Sequence, residues 1–419
     1  MNFKSKKAIL LGAIVSLFPL LNLAPVHAED GLRIVSSSAQ ASFPLTISFS
    51  IAAESDVDIT DIRLHYKVLR HSFADVTAEV YLQFVSALEV EASWDWDMRR
   101  TGGLPPSTGI QYWWTVKDAG GDQIETSPVI VWFDDERFSW QSLTQDMVTL
   151  YWYNGDMPFA EELMLAIEDA LDWLEADTGA IPQEAIEIYI YATSQDLRGA
   201  MIFPREWTGG VAYTAYGRIA IGIGLDNLDW GKRALTHELT HLVVHQMTLN
   251  PYSDIPTWLD EGLAMRSEGS LTYYYVNALN QAIGNDSLIS VQSISSPFSA
   301  LTDLAILSYA ESYSVVDYLI TTHGKNKMLE LLETFREGAS YDGALMEVYR
   351  FDTSGLYRRW CEYLSVPVEP VEPEEKVVVM VNEVSRMHPA FVVTLAGLAT
   401  VFLVLLSLVA ENWTWRRAL

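Results

Sequence analysis

The chain of 419 residues has a single cysteine, Cys361. One thiol cannot form an intrachain disulfide or a thiolate metal cluster, so the fold must stand on its apolar core. Basic residues are also scarce, with 27 Lys plus Arg against 55 Asp plus Glu. A formal charge of −28 disfavours a nucleic-acid partner, because phosphate binding needs a basic face. Internal repeats are not apparent. What is abundant is apolar: 49% of residues are hydrophobic, which argues against disorder and for a folded chain of one to three domains.

Long apolar runs are confined to the two ends. Residues 1–28 have the form of a secretory signal: Lys4, Lys6 and Lys7, an apolar stretch from Ala8 to Leu23, then Val26-His27-Ala28 with small residues at a cleavage position. An uncleaved N-terminal anchor is the alternative, and either form exports the domains behind it. At the far end, residues 389–411 contain an uncharged run, Ala390 to Ala410, long enough to cross a bilayer as a helix. Trp413 and Trp415 suit the interface, and Arg416 and Arg417 suit a short cytoplasmic tail over 412–419. A cleaved C-terminal sorting signal has a similar look. Residues 366–388, with Pro367, Pro370 and Pro373 among glutamates, read as an extended stalk and juxtamembrane segment. The expected location is therefore the cell membrane, single-pass, with the N-terminal domains extracytoplasmic.

Residues 29–136 alternate. Leu45, Ile47, Phe49 and Ile51 share one strand face, as do Ile62, Leu64, Tyr66 and Val68, and then Ile110, Tyr112, Trp114 and Val116. Asp118-Ala119-Gly120-Gly121 marks a turn. The pattern predicts an all-β sandwich similar to fibronectin type III or immunoglobulin-like modules. Trp94, Trp96, Trp113 and Trp114 could form a carbohydrate platform, but core packing is the usual use of such aromatics. A wall polymer or protein ligand for this sandwich stays open.

Residues 137–365 change period. Phe159, Leu163, Ile167, Leu171 and Leu174 recur at helical spacing with Gly179 as a cap, Ile186, Ile188 and Ile190 alternate, and Gly209 to Ile223 reads as a hairpin turning near Tyr216-Gly217. From Lys232 onward the pattern is chiefly helical. An α+β domain is expected, sheet first and helices after.

This domain carries His237-Glu238-Leu239-Thr240-His241. Two histidines at i and i+4 on a helix point the same way, so both imidazoles can reach one Zn2+ ion. Glu238 then projects beside the metal as a base. Downstream, Pro256-Thr257-Trp258-Leu259-Asp260-Glu261-Gly262-Leu263-Ala264 reads as a second helix whose Glu261 can supply the third ligand and leave a fourth position open. His245 competes for that role, but lies about 12 Å along the axis from His237. A third-histidine arrangement fails because Val244 and Met247 occupy the positions that need Gly and His. His65, His71, His323 and His388 fall in unrelated segments.

The two motifs together resemble the gluzincin pattern of thermolysin and aminopeptidase N relatives, and most of all the bacterial peptidase MA-like family, over roughly Trp140 to Leu364. The resemblance implies a thermolysin-like catalytic domain, His237, His241 and Glu261 as zinc ligands, Glu238 as catalytic base, and a peptide or protein as substrate. It also implies an oxyanion donor: Tyr309, in Leu307-Ser308-Tyr309-Ala310-Glu311, sits where aminopeptidase N relatives place a tyrosine, although Ser312 and Tyr313 replace their Gly-Ala pair. Tyr313 and Tyr318 fall near the same face of that helix, where core packing is the other use for any of the three. Asp260 stands where such enzymes support a ligand histidine, and Gly210, Val211 and Ala212 where they offer an edge strand to substrate. A Gly-Ala-Met-Glu-Asn amine-binding motif is missing, so endopeptidase action is the expectation. Rival readings are a zinc-binding protein without turnover, and an adhesive surface protein whose metal is structural.

Overall fold

The computed structural model describes residues 31–72, 74–205 and 208–365. The segments read as signal, stalk, membrane helix and tail lie outside these residues. No helix among the described residues is long and apolar enough to cross a membrane.

The first strands are β1 (Arg33–Ser42), β2 (Thr46–Val68), β3 (Ala78–Tyr81), β4 (Ala87–Asp97), β5 (Thr108–Asp118), β6 (Gln123–Glu125) and β7 (Val129–Phe133). They form a β-rich region organised by β2, which is 23 residues long. Its first half pairs antiparallel with β1 and β4; its second half pairs with β3 and β5. A register shift between Ile59 and Asp61 explains how one strand serves both. Before it the buried residues are Ile47, Phe49, Ile51 and Ala53; after it they are Ile62 and Leu64. The one-residue slip switches parity, so apolar side chains keep facing one core while the strand changes partners. Phe49, Trp114 and Phe133 are wholly enclosed there, each contributing about 1.5–3 kcal/mol on burial.

The four tryptophans divide. Trp114 and Trp96 are buried, Trp94 stacks between Phe49 and Tyr66, and Trp113 stacks on His65 with ring centroids 5.3 Å apart. Leu45, read from the alternation as part of a strand face, instead sits in the turn before β2 and is half exposed.

The second sheet comprises β8 (Gln141–Gln145), β9 (Val148–Trp152), then, after helix α1 (Met157–Thr178), β10 (Ile186–Tyr191), and, after the short α2 (Ser194–Arg198), β11 (Gly210–Tyr213) and β12 (Arg218–Gly222). Their order is β11-β12-β10-β9-β8. The central β9, β10 and β12 are parallel, with antiparallel strands at both edges. Ile186, Ile188 and Ile190 are all buried, as expected of a central strand. Asp156 caps the start of α1, and Gly179 ends it at φ 80°, the left-handed conformation glycine adopts without strain.

Among the described residues seven α-helices follow: α3 (Leu228–Thr248), α4 (Thr257–Ser267), α5 (Tyr273–Gly284), α6 (Thr302–His323), α7 (Lys325–Arg336), α8 (Tyr341–Tyr349) and α9 (Thr353–Tyr363). Pro256 precedes α4 with an extended backbone, consistent with its inability to donate within a helix. Close crossing of α4 and α6 depends on Gly262, where a Cβ would stand 2.4 Å from the Ser312 carbonyl oxygen. Arg266, one turn beyond, donates at 2.7 and 3.0 Å to both carboxylate oxygens of Asp177 on α1 and also pairs with Asp317 on α6. That fork fixes α4 between two neighbours.

Candidate metal centre

On α3, Leu235, Leu239, Leu242 and Val243 are buried against the rest of the fold, which turns His237 and His241 toward α4. On α4, Trp258, Leu259 and Leu263 do the same and present Asp260 and Glu261. The two Nε2 atoms of His237 and His241 lie 3.1 Å apart, and Glu261 Oε2 lies 3.5 Å from each. Ligand atoms of these three residues all fall within 4.8 Å of one another.

The opposite ring nitrogens are held by carboxylates. His237 Nδ1 donates to Glu268 Oε1 at 2.7 Å, and His241 Nδ1 donates to Asp260 Oδ1 at 2.8 Å. The other oxygen of Asp260 lies 3.1 Å from His245 Nε2, so His245 braces the supporting carboxylate and stays apart from the ligand atoms. A proton placed on Nδ1 leaves the Nε2 lone pair for a metal.

Electrostatics agree. Burial opposes a charged His237, but the neighbouring Glu261 and Glu268 carboxylates outweigh it and lift its pKa to about 9. His241 is likewise raised, against the burial penalty, by Asp260 and Glu261. Burial pushes the Glu261 carboxyl up, yet the two histidines bring it down to about 2, and Asp260 is also lowered by its histidine partners against burial. The carboxylates thus favour positive charge where the rings meet, the same demand that a divalent cation would satisfy. Glu261 Oε2 is moreover buried without a hydrogen-bond partner. Two imidazole nitrogens, one carboxylate oxygen and oriented outer nitrogens fit zinc.

Glu238 is raised chiefly by burial. Edge strand β11 lies against it: a Cβ at Gly210 would stand 2.9 Å from Glu238 Oε1, so only glycine leaves room for the carboxylate. Val211 and Ala212 continue that strand, paired on one side with β12. Tyr309, on α6, packs edge-to-face on Phe298 at 5.1 Å and lines a cavity of about 620 Å³ together with Glu261, Tyr275, Ile306 and Arg205. Burial, then the neighbouring Glu261, raise its pKa and keep the hydroxyl protonated. Tyr313 is elsewhere, beside Asp317 and Arg266, and Tyr318 packs on His323 and Tyr363. Of the three tyrosines on this helix, only Tyr309 reaches the cavity beside Glu261.

Sequence reasoning missed Glu268, Tyr275 and Phe298. Glu268 follows Glu261 by two helical turns on the same face, a spacing that could have flagged it. Tyr275 and Phe298 are brought in by later helices and loops and carry no local signal.

Among solved structures, the M1 zinc metallopeptidase from Deinococcus radiodurans is similar over 82% of this chain and 96% of its own, at 12% identity and a TM-score of 0.32. A point mutant of the same enzyme gives 11% identity and a TM-score of 0.34 over 82% and 97%. A carbohydrate-binding module family 56 β-1,3-glucan binding domain is similar over 23% of this chain and 95% of its own, at 18% identity and a TM-score of 0.15. Superpositions this loose carry no argument about this chain. No curated protein matches it in sequence. The family model of the Peptidase MA superfamily matches residues 166–366, which span every residue of the metal centre. Residues 166–366 are thus similar to the peptidase MA superfamily, and the match takes in the whole of the metal centre.

Proposed function

We propose that this chain is a zinc-dependent peptidase, probed best as an endopeptidase, that acts outside the cytoplasm from a membrane anchor. The observation that carries the reading is the convergence of His237 Nε2, His241 Nε2 and the unpartnered Glu261 Oε2, with Glu238 next in sequence to His237. Zinc held there supplies Lewis-acid activation of a water molecule and of the scissile carbonyl.

The chain's own residues do the rest. Glu238 accepts a proton from the attacking water and passes it to the leaving amine; burial raises its pKa toward the range where one group can do both. The Tyr309 hydroxyl, kept protonated, donates to the oxyanion that develops on the substrate. Asp260 and Glu268 hold the two imidazoles in one tautomer. The outer edge of β11, at Gly210, Val211 and Ala212, pairs with an extended substrate backbone, and the cavity lined by Tyr275, Phe298 and Ile306 receives a side chain beside the cleaved bond. Anchoring by residues 389–411, and export by residues 1–28, belong to the same proposal and rest on sequence pattern alone.

The test compares the parent ectodomain with Glu238→Gln. Both variants are expected to hold about one zinc per chain, whereas only the parent cleaves a quenched peptide library, and a chelator abolishes cleavage. Zinc-free parent protein would overturn the reading. Equal cleavage by the Gln variant would remove Glu238 from the base role.

A further inference from the structure

The β-rich region touches the chain on both sides of β11, in the turn that follows the strand and at Ile202, eight residues before it. Downstream, the backbone amide of His71 donates to the Ala215 carbonyl at 2.8 Å, inside the turn that joins β11 to β12. The His71 ring pairs with Glu184, and a Cβ on Gly217 would stand 3.2 Å from His71 Nε2 and 2.9 Å from the Ala185 carbonyl oxygen. The neighbouring Tyr216 packs against the apolar core of the β-rich region and shares a cavity with Tyr66 and Trp96. Upstream, Ile202 packs on the same core, close enough to Gly103 that a Cβ there would meet Ile202 Cγ1 at 2.8 Å.

Strand β11 is four residues long and, among the described residues, its backbone pairs with β12 alone, while Val211 and Tyr213 pack on the aromatic core of the second sheet. Its ladder hydrogen bonds therefore come from one side, so its exact placement depends on what holds its two ends. It is nevertheless the element against which Glu238 lies, with Gly210 in contact with the carboxylate.

We infer that the β-rich region sets the position of β11 against Glu238, which makes Ile202 and Tyr216 positioning residues for the proposed peptidase. The inference rests on the peptidase reading for its catalytic consequence. The mechanical part stands on the contacts alone. Neither residue is part of the metal centre, and each acts through a strand. Loosening either flank lets β11 drift from the alignment in which an extended peptide can add beside it, so substrate binding suffers before turnover does.

The experiment uses the full chain loaded with zinc, as parent, Ile202→Ala, Tyr216→Ala and Tyr216→Phe. Backbone hydrogen exchange is read at residues 210–213 and, as an internal standard, in α3. Both alanine variants are expected to exchange about ten-fold faster at 210–213, with α3 and zinc content unchanged. KM for a peptide long enough to pair along β11 is expected to rise about ten-fold with kcat within about two-fold, while a short blocked peptide is cleaved as before. Tyr216→Phe, which keeps the ring, should restore both readouts.

Unchanged exchange at 210–213 overturns the inference. So does exchange that rises equally in α3, which would mean general loosening, and so does a fall in kcat at constant KM. If the parent cleaves no peptide while exchange still rises selectively, the peptidase reading fails and the mechanical coupling survives.

Discussion

In the N-terminal sheet the enclosed side chains are Phe49, Ile59, Leu64 and Trp114, whereas between α3 and α4 the facing side chains are His237, His241, Asp260, Glu261 and Glu268. Burial drives the first arrangement and works against the second. In the sheet even a polar atom is given up to packing, since Trp114 Nε1 has no partner. Between the helices the two histidines and the carboxylates of Asp260, Glu261 and Glu268 hold one another by opposite charge, and Glu261 Oε2, which has no hydrogen-bond partner, points at the place where the two ring nitrogens meet. Partly buried charges of this kind contribute little net stability and are retained for what they bind.

The largest test of that contrast is Trp114→Ala. Loss of a fully enclosed indole is expected to lower unfolding free energy by about 3–5 kcal/mol, measured with urea, while chains that remain folded keep their zinc. A comparable loss of zinc affinity in folded chains would mean that the two regions are not separable in this way.

Glu311 breaks the rule that helical charges are paired, and its effect should be next in size. It is enclosed on α6, accepts from the Ile289 amide at 2.9 Å, and has one oxygen without a partner. Burial pushes its pKa from 4.5 up to about 8. A raised carboxyl pKa means that the native state keeps a proton the unfolded chain releases, so stability falls as pH rises from about 4.5 to about 8. Glu311→Gln is expected to flatten this slope and to be a few kcal/mol more stable than the parent near the top of the window. Parallel stability profiles for parent and variant would show that Glu311 is ionised in the fold.

The smallest effect should come from Glu268→Gln. The amide keeps the shape but weakens the hydrogen bond to His237 Nδ1, so zinc affinity should fall about 10–100-fold with unfolding in chelator nearly unchanged. Competition against a chromogenic chelator measures it. An unchanged affinity would reduce Glu268 to a surface partner.

The site was legible where its residues are neighbours in sequence. His237 and His241 lie one turn apart on α3, and Glu261 opens from a helix announced by Pro256. Helical spacing converts such separations directly into shared direction. Glu268 shared that advantage and was overlooked because a carboxylate two turns on is indistinguishable from a solvated one until His237 is seen against it. Tyr275 and Phe298 come from separate segments, and only packing of α5 and the loop before α6 sets them beside Glu261. In the β-rich region, alternation located the strand faces around Ile47, Ile62 and Ile110. That β2 runs unbroken from Thr46 to Val68 was hidden, because the slip near Ile59 changes the parity of the pattern and imitates two strands.

By itself the sequence determined the period of each region, the pair of histidines, and the carboxylate helix downstream of them, because periodicity and short spacing are properties of a single backbone element. The tertiary structure alone decided that Glu268 holds the outer nitrogen of His237, that Tyr275 and Phe298 line the cavity beside Glu261, and that the β-rich region grips the chain on both sides of β11. Those are contacts between elements far apart in the chain, and they are fixed by close approach at positions such as Gly103, Gly210 and Gly262, where the missing side chain leaves space for a partner no local pattern names.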